Sequence, residues 1–299
     1  MQIFTLGHKN PDTDSVIAAI AQAAFMKENG EFAAPMAQGA PNPETEFVLN
    51  KFNLAAPEIL TTVENKNIFI VDTNDPNQLP ADIQNANIAG ITDHHQLVGG
   101  LKTPGPIPFT IRPYGCTCTI IAKQFADAKI ALSPELAGAM SCAILSDTVM
   151  FKSPTTTAED RQAAEMLALI AGVNMMETGM EMLRAKSDIS GETAAALLHR
   201  DLKEFDINGK KLAIAQIELV DDEMAKPFLA DLQREMRALK KEKNLDGVIL
   251  VVTDIMKEGS TMMLETDFDD KIRVIFGGAF IPGLLSRKKQ VIPVLTEKL

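Results

Sequence analysis

Short apolar runs alternate with helical patterns over the first two thirds of the chain. Residues 3–6 (IFTL) form a brief apolar strand that stops at Gly7-His8. After Pro11-Asp12-Thr13-Asp14-Ser15 comes an Ala-rich run, about 16–27, whose spacing predicts a helix with Asp and Ser placed as caps. Strand signals return at 67–72 (NIFIVD), which ends on an acidic residue, and at 87–92 (NIAGIT), which runs straight into Asp93-His94-His95. Residues 117–128, 135–145 and 158–171 read as helices; the second leads into Ser146-Asp147-Thr148 and the third stops at Gly172. Such alternation predicts an α/β domain built on a largely parallel sheet flanked by helices. The polar residues fall at strand ends, where open α/β sheets bind their ligands.

The pattern changes near residue 186. Residues 185–192 (AKSDISGE) are polar and contain a glycine, which places a linker at about 187–191 between a domain of 1–186 and a smaller α/β domain of 192–299. In the latter, 202–207 and 211–216 flank Asn208-Gly209, a strong hairpin signal. A charged helix is expected at about 223–242 and further strands at 247–253 and 272–276, giving a mixed sheet before a Gly-rich, basic tail. No internal repeat is visible.

Composition narrows the chemistry. The 299 residues are 46% hydrophobic, enough for two cores, and no apolar run is long enough to span a bilayer. The first six residues carry neither a basic region nor a small-residue cleavage site, and three cysteines fit a reducing compartment, so the cytoplasm is expected. A net charge of −11 argues against binding a long nucleic acid, and with Trp absent and Tyr114 the lone tyrosine there is no stacking platform for bases. A small, highly charged anion remains compatible, because bound cations invert the local field.

Three of the four histidines lie next to aspartates. His8 opens H-x-x-x-D-x-D with Asp12 and Asp14; Asp72 ends one strand, Asp93, His94 and His95 end another, and Asp147 ends a helix. Carboxylates with one or two imidazoles suit Mn²⁺ or Co²⁺ better than an all-oxygen Mg²⁺ site, and so many carboxylates suit two metals sharing a bridging group. Taken singly, Asp12 and Asp14 read more readily as helix caps or turn residues than as ligands, and Asp72 equally as a turn residue or a ligand; the adjacent His94-His95 pair is harder to dismiss. His199 sits on a helical run as an ordinary surface or packing residue. Cys116, Cys118 and Cys142 lack the paired C-x₂-C spacing of a zinc site and read as structural thiols. The Met-rich segment 175–182 reads as core filling. Ser286-Arg287-Lys288-Lys289-Gln290, approached through glycines, offers a fork and a point charge for phosphate, with Lys203 as a third cation.

The segments GHKNPDTDS (7–15), VDTND (71–75), TDHH (92–95) and SDTVMFKSPTTT (146–157) resemble the DHH phosphoesterase superfamily. With the tail SRKKQ (286–290), the resemblance narrows to family II inorganic pyrophosphatases, which carry a C-terminal DHHA2-type domain, and it runs along essentially the whole chain. It implies a manganese-dependent enzyme that splits pyrophosphate into two phosphates by attack of a metal-bridging hydroxide at a site between its domains. It further implies two Mn²⁺ per subunit, with Co²⁺ an alternative, and a Mg²⁺ arriving with the substrate. His8 and Asp12 would bind one metal, Asp14, His94 and Asp147 the other, and Asp72 both. His95, Lys203, Arg287 and Lys288 would meet the substrate, and Asp93 would stand behind, orienting a histidine. A homodimer through the N-terminal domain, with no nucleic-acid or membrane partner, is the expected assembly. Gln96 departs from the basic residue found there in some relatives, and no regulatory insert of the CBS type fits. The rival readings are a DHH phosphoesterase acting on short oligonucleotides, 3′-phosphoadenosine phosphate or short polyphosphate, and a noncatalytic metal or phosphate binder.

Overall fold

The structure, a computed structural model, describes residues 2–299. The chain divides into two compact units, residues 1–186 and 187–299. In the first, six parallel strands stand in the order β3-β2-β1-β4-β5-β6: β1 (Ile3–Leu6), β2 (Ala33–Ala37), β3 (Glu58–Ile59), β4 (Asn67–Val71), β5 (Asn87–Asp93) and β6 (Phe109–Ile111). The chain builds outward from β1 to β3, then returns to the other side of β1 and builds outward again. That reversal between β1 and β4 opens a crevice at the carboxyl ends of the strands, the usual place for a ligand in such sheets. Ile68, Ile70 and Val71 are fully buried, as a strand covered on both faces requires.

Helix α1 (Thr13–Glu28) starts three residues before the sequence pattern predicted, because Asp12 caps it by accepting from the Ser15 amide at 3.0 Å. Its small residues Ala18, Ala19, Ala21 and Ala23 are all buried, which lets it lie close to β1 and β2 and take α3 (Thr117–Ala128) and α4 (Pro134–Asp147) against its back. Gly7 is required here: a Cβ would sit 2.1 Å from Ser15 Oγ. Helices α2 (Pro43–Lys51), α5 (Ala158–Ala171) and α6 (Met175–Lys186) complete the unit. The Met-rich segment begins α6, with Met182 fully buried and Met176 half exposed.

The second unit is a mixed sheet in the order β11-β10-β9-β8-β7, formed by β7 (Leu202–Ile207), β8 (Lys210–Leu219), β9 (Gly247–Asp254), β10 (Gly259–Thr266) and β11 (Phe280–Pro282). Strands β7 and β8 form the expected hairpin, with Asn208 at φ 53° and Gly209 at φ 77° as the two-residue turn. Strand β8 reaches its parallel neighbour β9 by a helical crossover. One face is covered by α7 (Ala194–His199) and α8 (Leu229–Glu242), the other by α9 (Asp269–Phe276) and α10 (Ile292–Lys298). His199, at the end of α7, is exposed.

Two expectations are corrected. Residues 272–276 are not a strand; they lie in α9. Ile272 packs into the core with Phe268 and Phe276, a spacing of four that belongs to a helix, while Val274 is 84% exposed. The β-branched run misled because a short apolar stretch does not distinguish strand from helix. The helix expected at 223–242 is broken at Pro227, which cannot donate its amide. Asp222–Phe228 forms a tighter turn, and α8 proper starts at Leu229. Among the described residues no helix is long and apolar enough to cross a membrane.

Candidate metal centre

The carboxyl ends of β1, β4 and β5 and the end of α4 converge on one point. His8 follows β1, Asp12 caps α1, Asp14 lies in its first turn, Asp72 follows β4, and His94 and His95 follow β5. Asp72 takes a left-handed backbone (φ 58°), a conformation Asp tolerates better than most residues. Helix α4 stops sharply at Asp147. Beyond it Val149, Met150 and Phe151 are all left-handed (φ 48°, 53° and 66°), held by Val149 N donating to Ser146 O and Met150 N to Leu145 O. Left-handed turns cost non-glycine residues about 1–2 kcal/mol each, so the sharp stop is stored strain.

Asp72 is the hub. Its Oδ2 lies 3.3 Å from His8 Nε2, its Oδ1 3.3 Å from His94 Nε2. His8 Nε2 is also 3.5 Å from Asp12 Oδ1, and His94 Nε2 is 3.9 Å from Asp147 Oδ2. Two donor sets result, His8–Asp12–Asp72 and Asp14–Asp72–His94–Asp147, each with ligand atoms within 4.8 Å of one another. The tautomers fit. Nδ1 of His8 donates to Lys9 O at 2.9 Å and Nδ1 of His94 to Tyr114 O at 3.0 Å, so each ring turns Nε2 toward the carboxylates. His95 differs: its Nδ1 meets Asp93 Oδ1 at 2.9 Å and its side chain is 51% exposed. Asp93 is fully buried and also accepts from the His95 amide and, at 2.6 Å, from Asn74 Nδ2.

The charges explain what the cluster lacks by itself. Burial disfavours the charged ring of His8, yet hydrogen bonds to Asp12 and Asp72 outweigh it and push the pKa up to about 11. Burial likewise opposes the charge on His94, and Asp72 and Asp14 overcome it, raising the pKa to about 9. Burial would raise Asp72, but the two histidines hold it well below the carboxylate range. Burial and the neighbouring Asp72 charge lift Asp14 to about 6, and burial with Asp14 and Asp72 pushes Asp147 well upward. Several carboxylates therefore compete for too little positive charge, the condition that divalent cations relieve. Two clefts open on the cluster. One of about 270 Å³ is lined by His8, Asp72, Asn74 and His95 among others, and one of about 170 Å³ by Asp12, His94 and Asp147 among others.

The sequence reading missed the segment from Tyr114 to Cys118. Thr117 N and Cys118 N, the free amides at the start of α3, donate to the two oxygens of Asp14 at 2.7 and 3.1 Å. Thr117 Oγ1 donates to Asp72 Oδ1 at 3.0 Å. Asp14 thus caps a helix distant in sequence, where the amides and dipole favour a carboxylate. The C-x-C spacing drew attention to the thiols, whereas the contacts come from the backbone and from the threonine between them. Cys116 and Cys118 lie within reach of Asp14, but burial pushes both thiols well up, keeping them neutral. Asn74, which ties Asp93 to Gln96 O and to the Val98 amide, was missed as well.

In the second unit, Lys203 and Arg287 both meet Asp201. Arg287 Nη2 lies 3.1 and 3.0 Å from the two carboxylate oxygens, and Lys203 Nζ is 3.8 Å from Oδ1. Arg287 is buried, with Nη1 donating to Asp201 O and to Ile214 O at 3.0 Å. Lys288 beside it is exposed.

Comparison with known proteins supplies the lineage. Residues 2–144 match the DHH family, N-terminal domain, and residues 180–298 match the DHHA2 domain. A Methanocaldococcus jannaschii protein named manganese-dependent inorganic pyrophosphatase is 40% identical over 98% of this chain and 97% of its own. A crystal structure from Methanococcus jannaschii, assigned to the family II inorganic pyrophosphatases, covers 100% of this chain and 99% of its own at 38% identity with a TM-score of 0.61. An exopolyphosphatase-related protein from Bacteroides fragilis shares the fold alone, at 13% identity over 99% of this chain and 91% of its own, with a TM-score of 0.51. Identity at this level, end to end and across both domain types, is the mark of common descent: the chain belongs to the family II inorganic pyrophosphatases of the DHH superfamily.

Proposed function

We propose that this protein hydrolyses inorganic pyrophosphate to two phosphates at the cluster around Asp72, loaded with two Mn²⁺ per chain. The observation that carries the reading is Asp72 itself, one carboxylate whose two oxygens face two separate histidine–carboxylate sets at equal distance. On this reading His8 and Asp12 hold one ion, Asp14, His94 and Asp147 the other, and Asp72 both. Such a pair, when bound, supplies charge for the phosphoryl oxygens and lowers the pKa of water at the site. Co²⁺ suits the same donors, and a Mg²⁺ accompanies the substrate.

The chain's own groups position and neutralise. His95, its Nδ1 fixed by Asp93, leaves Nε2 to donate to a phosphate oxygen. Its pKa is raised, first by Asp93 and against burial, which keeps the ring a donor. Lys203, Arg287 and Lys288 take up charge on the departing phosphate. For Arg287 this requires an exchange, because both Nη groups are engaged and a phosphate oxygen must replace Asp201 on Nη2. The protein is further proposed to work in the cytoplasm as a homodimer through its first unit.

The test is phosphate release by metal-stripped protein reloaded with Mn²⁺, Co²⁺, Zn²⁺ or Mg²⁺. Pyrophosphate is compared with tripolyphosphate, short oligonucleotides and 3′-phosphoadenosine phosphate. Selective release from pyrophosphate, highest with Mn²⁺ or Co²⁺, is expected. Turnover of a nucleotide with none of pyrophosphate would keep the metal centre and remove the substrate assignment.

A further inference from the structure

One buried carboxylate stands outside the cluster yet is wired to it. Asp160, in the first turn of α5, is fully buried and its carboxylate accepts four hydrogen bonds. Two come from Thr157, its amide at 2.8 Å and its hydroxyl at 2.7 Å, as a helix-capping pair does. The other two leave the helix. Thr119 Oγ1 of α3 donates to Oδ1 at 2.6 Å, and Gly115 N donates to Oδ2 at 2.8 Å.

The Gly115 contact matters most. The amide N–H of Gly115 and the carbonyl of Tyr114 are the two ends of a single peptide group. At one end that group donates to Asp160; at the other it accepts from His94 Nδ1 at 3.0 Å. A carboxylate on the N–H side polarises the amide and strengthens the carbonyl as an acceptor. The carbonyl in turn fixes the His94 ring with Nε2 toward Asp72 and Asp147. Glycine fits the space at 115: a Cβ would sit 2.9 Å from both Asp160 Oδ2 and Thr148 Cγ2 and would have to displace them. The same anchored segment then supplies the amides that hold Asp14 and the hydroxyl that holds Asp72.

We infer that Asp160 is a positioning residue of the metal centre, acting on His94 through the Tyr114–Gly115 peptide and on Asp14 and Asp72 through the anchored start of α3. The inference rests on the reading of Asp14, Asp72 and His94 as metal ligands. A helix cap alone would account for the two Thr157 bonds and leaves Gly115 and Thr119 unexplained.

The experiment measures stepwise Mn²⁺ affinity of the whole chain, by electron paramagnetic resonance of the free ion, with the visible spectrum of the Co²⁺ form as a second readout. Four variants are compared: Asp160→Asn, which keeps an acceptor and removes the charge; Asp160→Ala; Thr157→Ala, which removes only the cap; and His94→Ala. Loss of an orienting partner behind a metal ligand typically weakens affinity about 10–100-fold. Expected is a loss of that size in one of the two steps for Asp160→Asn, with an altered Co²⁺ spectrum, and unchanged affinity for Thr157→Ala despite a lower melting temperature. Equal weakening in Thr157→Ala and Asp160→Asn would reduce Asp160 to a helix cap and overturn the inference. So would an Asp160→Asn protein that binds both ions like the parent. If Asp160→Ala does not fold, Asp160→Asn against Thr157→Ala still decides. His94→Ala separates the two layers: if it too binds Mn²⁺ like the parent, the metal-centre reading fails as well, whereas weakening in His94→Ala alone sinks only the role of Asp160.

Discussion

Replacing Arg287 by alanine tests whether this residue is built into the second unit or merely displayed on it. A cation held in solvent for phosphate would leave stability unchanged when removed, within about 0.5 kcal/mol. The structure points to a larger cost. Nη1 satisfies Ile214 O inside β8 at 3.0 Å, and losing a partner from a buried carbonyl costs about 1–3 kcal/mol. The pairing with Asp201 adds less, because that carboxylate is 47% exposed and a screened pair contributes about 0–1 kcal/mol. The aliphatic stem, buried with the rest of the side chain, adds about 1 kcal/mol. The sum is about 3 kcal/mol, a large share of the stability of a domain. The chain has no tryptophan and its one tyrosine lies in the first unit, so fluorescence does not report on the second. Hydrogen exchange of peptides covering β8 and β9 under native conditions does. Faster exchange there by about two orders of magnitude, with the first unit unchanged, is expected for Arg287→Ala. Protection equal to the parent would refute the accounting and return Arg287 to a purely substrate-facing role.

Four further outcomes follow from the same geometry. Asp72→Asn removes the shared carboxylate and should reduce Mn²⁺ bound per chain together with pyrophosphate turnover, by at least about a hundredfold in rate; near-parental turnover would end the dinuclear reading. Lys288→Ala, at an exposed cation, should raise KM for pyrophosphate while Mn²⁺ content stays at the parental level; lost metal would argue against a substrate-side role. Val149→Gly should stabilise the first unit by about 1 kcal/mol by relieving a left-handed β-branched residue, seen as a higher urea midpoint, and a lower midpoint would show the turn is not strained there. In EDTA-treated protein, His8 and His94 carry folded pKa values raised to about 11 and 9, so the stability they contribute is complete below about 6.5 and drains away as pH climbs through 9 toward 11. The urea midpoint should fall over that window and fall less in His8→Gln; an identical slope in the variant would remove His8 as its source.

Much of the fold was legible because local signals and burial agreed. The strands β1, β4, β5 and β9 are continuous apolar runs, and the Asn208-Gly209 turn allows little else. What escaped was structure whose cause lies elsewhere in the chain. Strand β10 (GSTMMLET) has little strand character of its own and exists because β9 offers it a complete antiparallel edge. The short β3 and β6 are sheet edges made by pairing alone. Residues 272–276 were misread because β-branched composition outweighed a four-residue spacing that begins at Phe268, outside the apolar run.

The site divides along the same line. Side chains that suit Mn²⁺ are chiefly imidazoles and carboxylates, and in a chain with four histidines the His-Asp clusters stand out. The groups that hold those side chains still are mostly peptide groups: Lys9 O, Tyr114 O, Thr117 N and Cys118 N. A backbone carbonyl or amide carries no identity in sequence, so no pattern of residue types reveals it. The residues that betray such contacts do so by what they leave out. Gly115 is a glycine because Asp160 and Thr148 occupy the space a Cβ needs, at a backbone angle that does not itself demand one. A glycine just before a helix, in an ordinary conformation and beside a buried carboxylate, is therefore a sign of close approach rather than of a turn. In sequence Asp160 stands as the fourth residue of T-x-x-D, a pattern that a helix cap alone would explain; the glycine 45 residues earlier is the sign that the same carboxylate has a second contact.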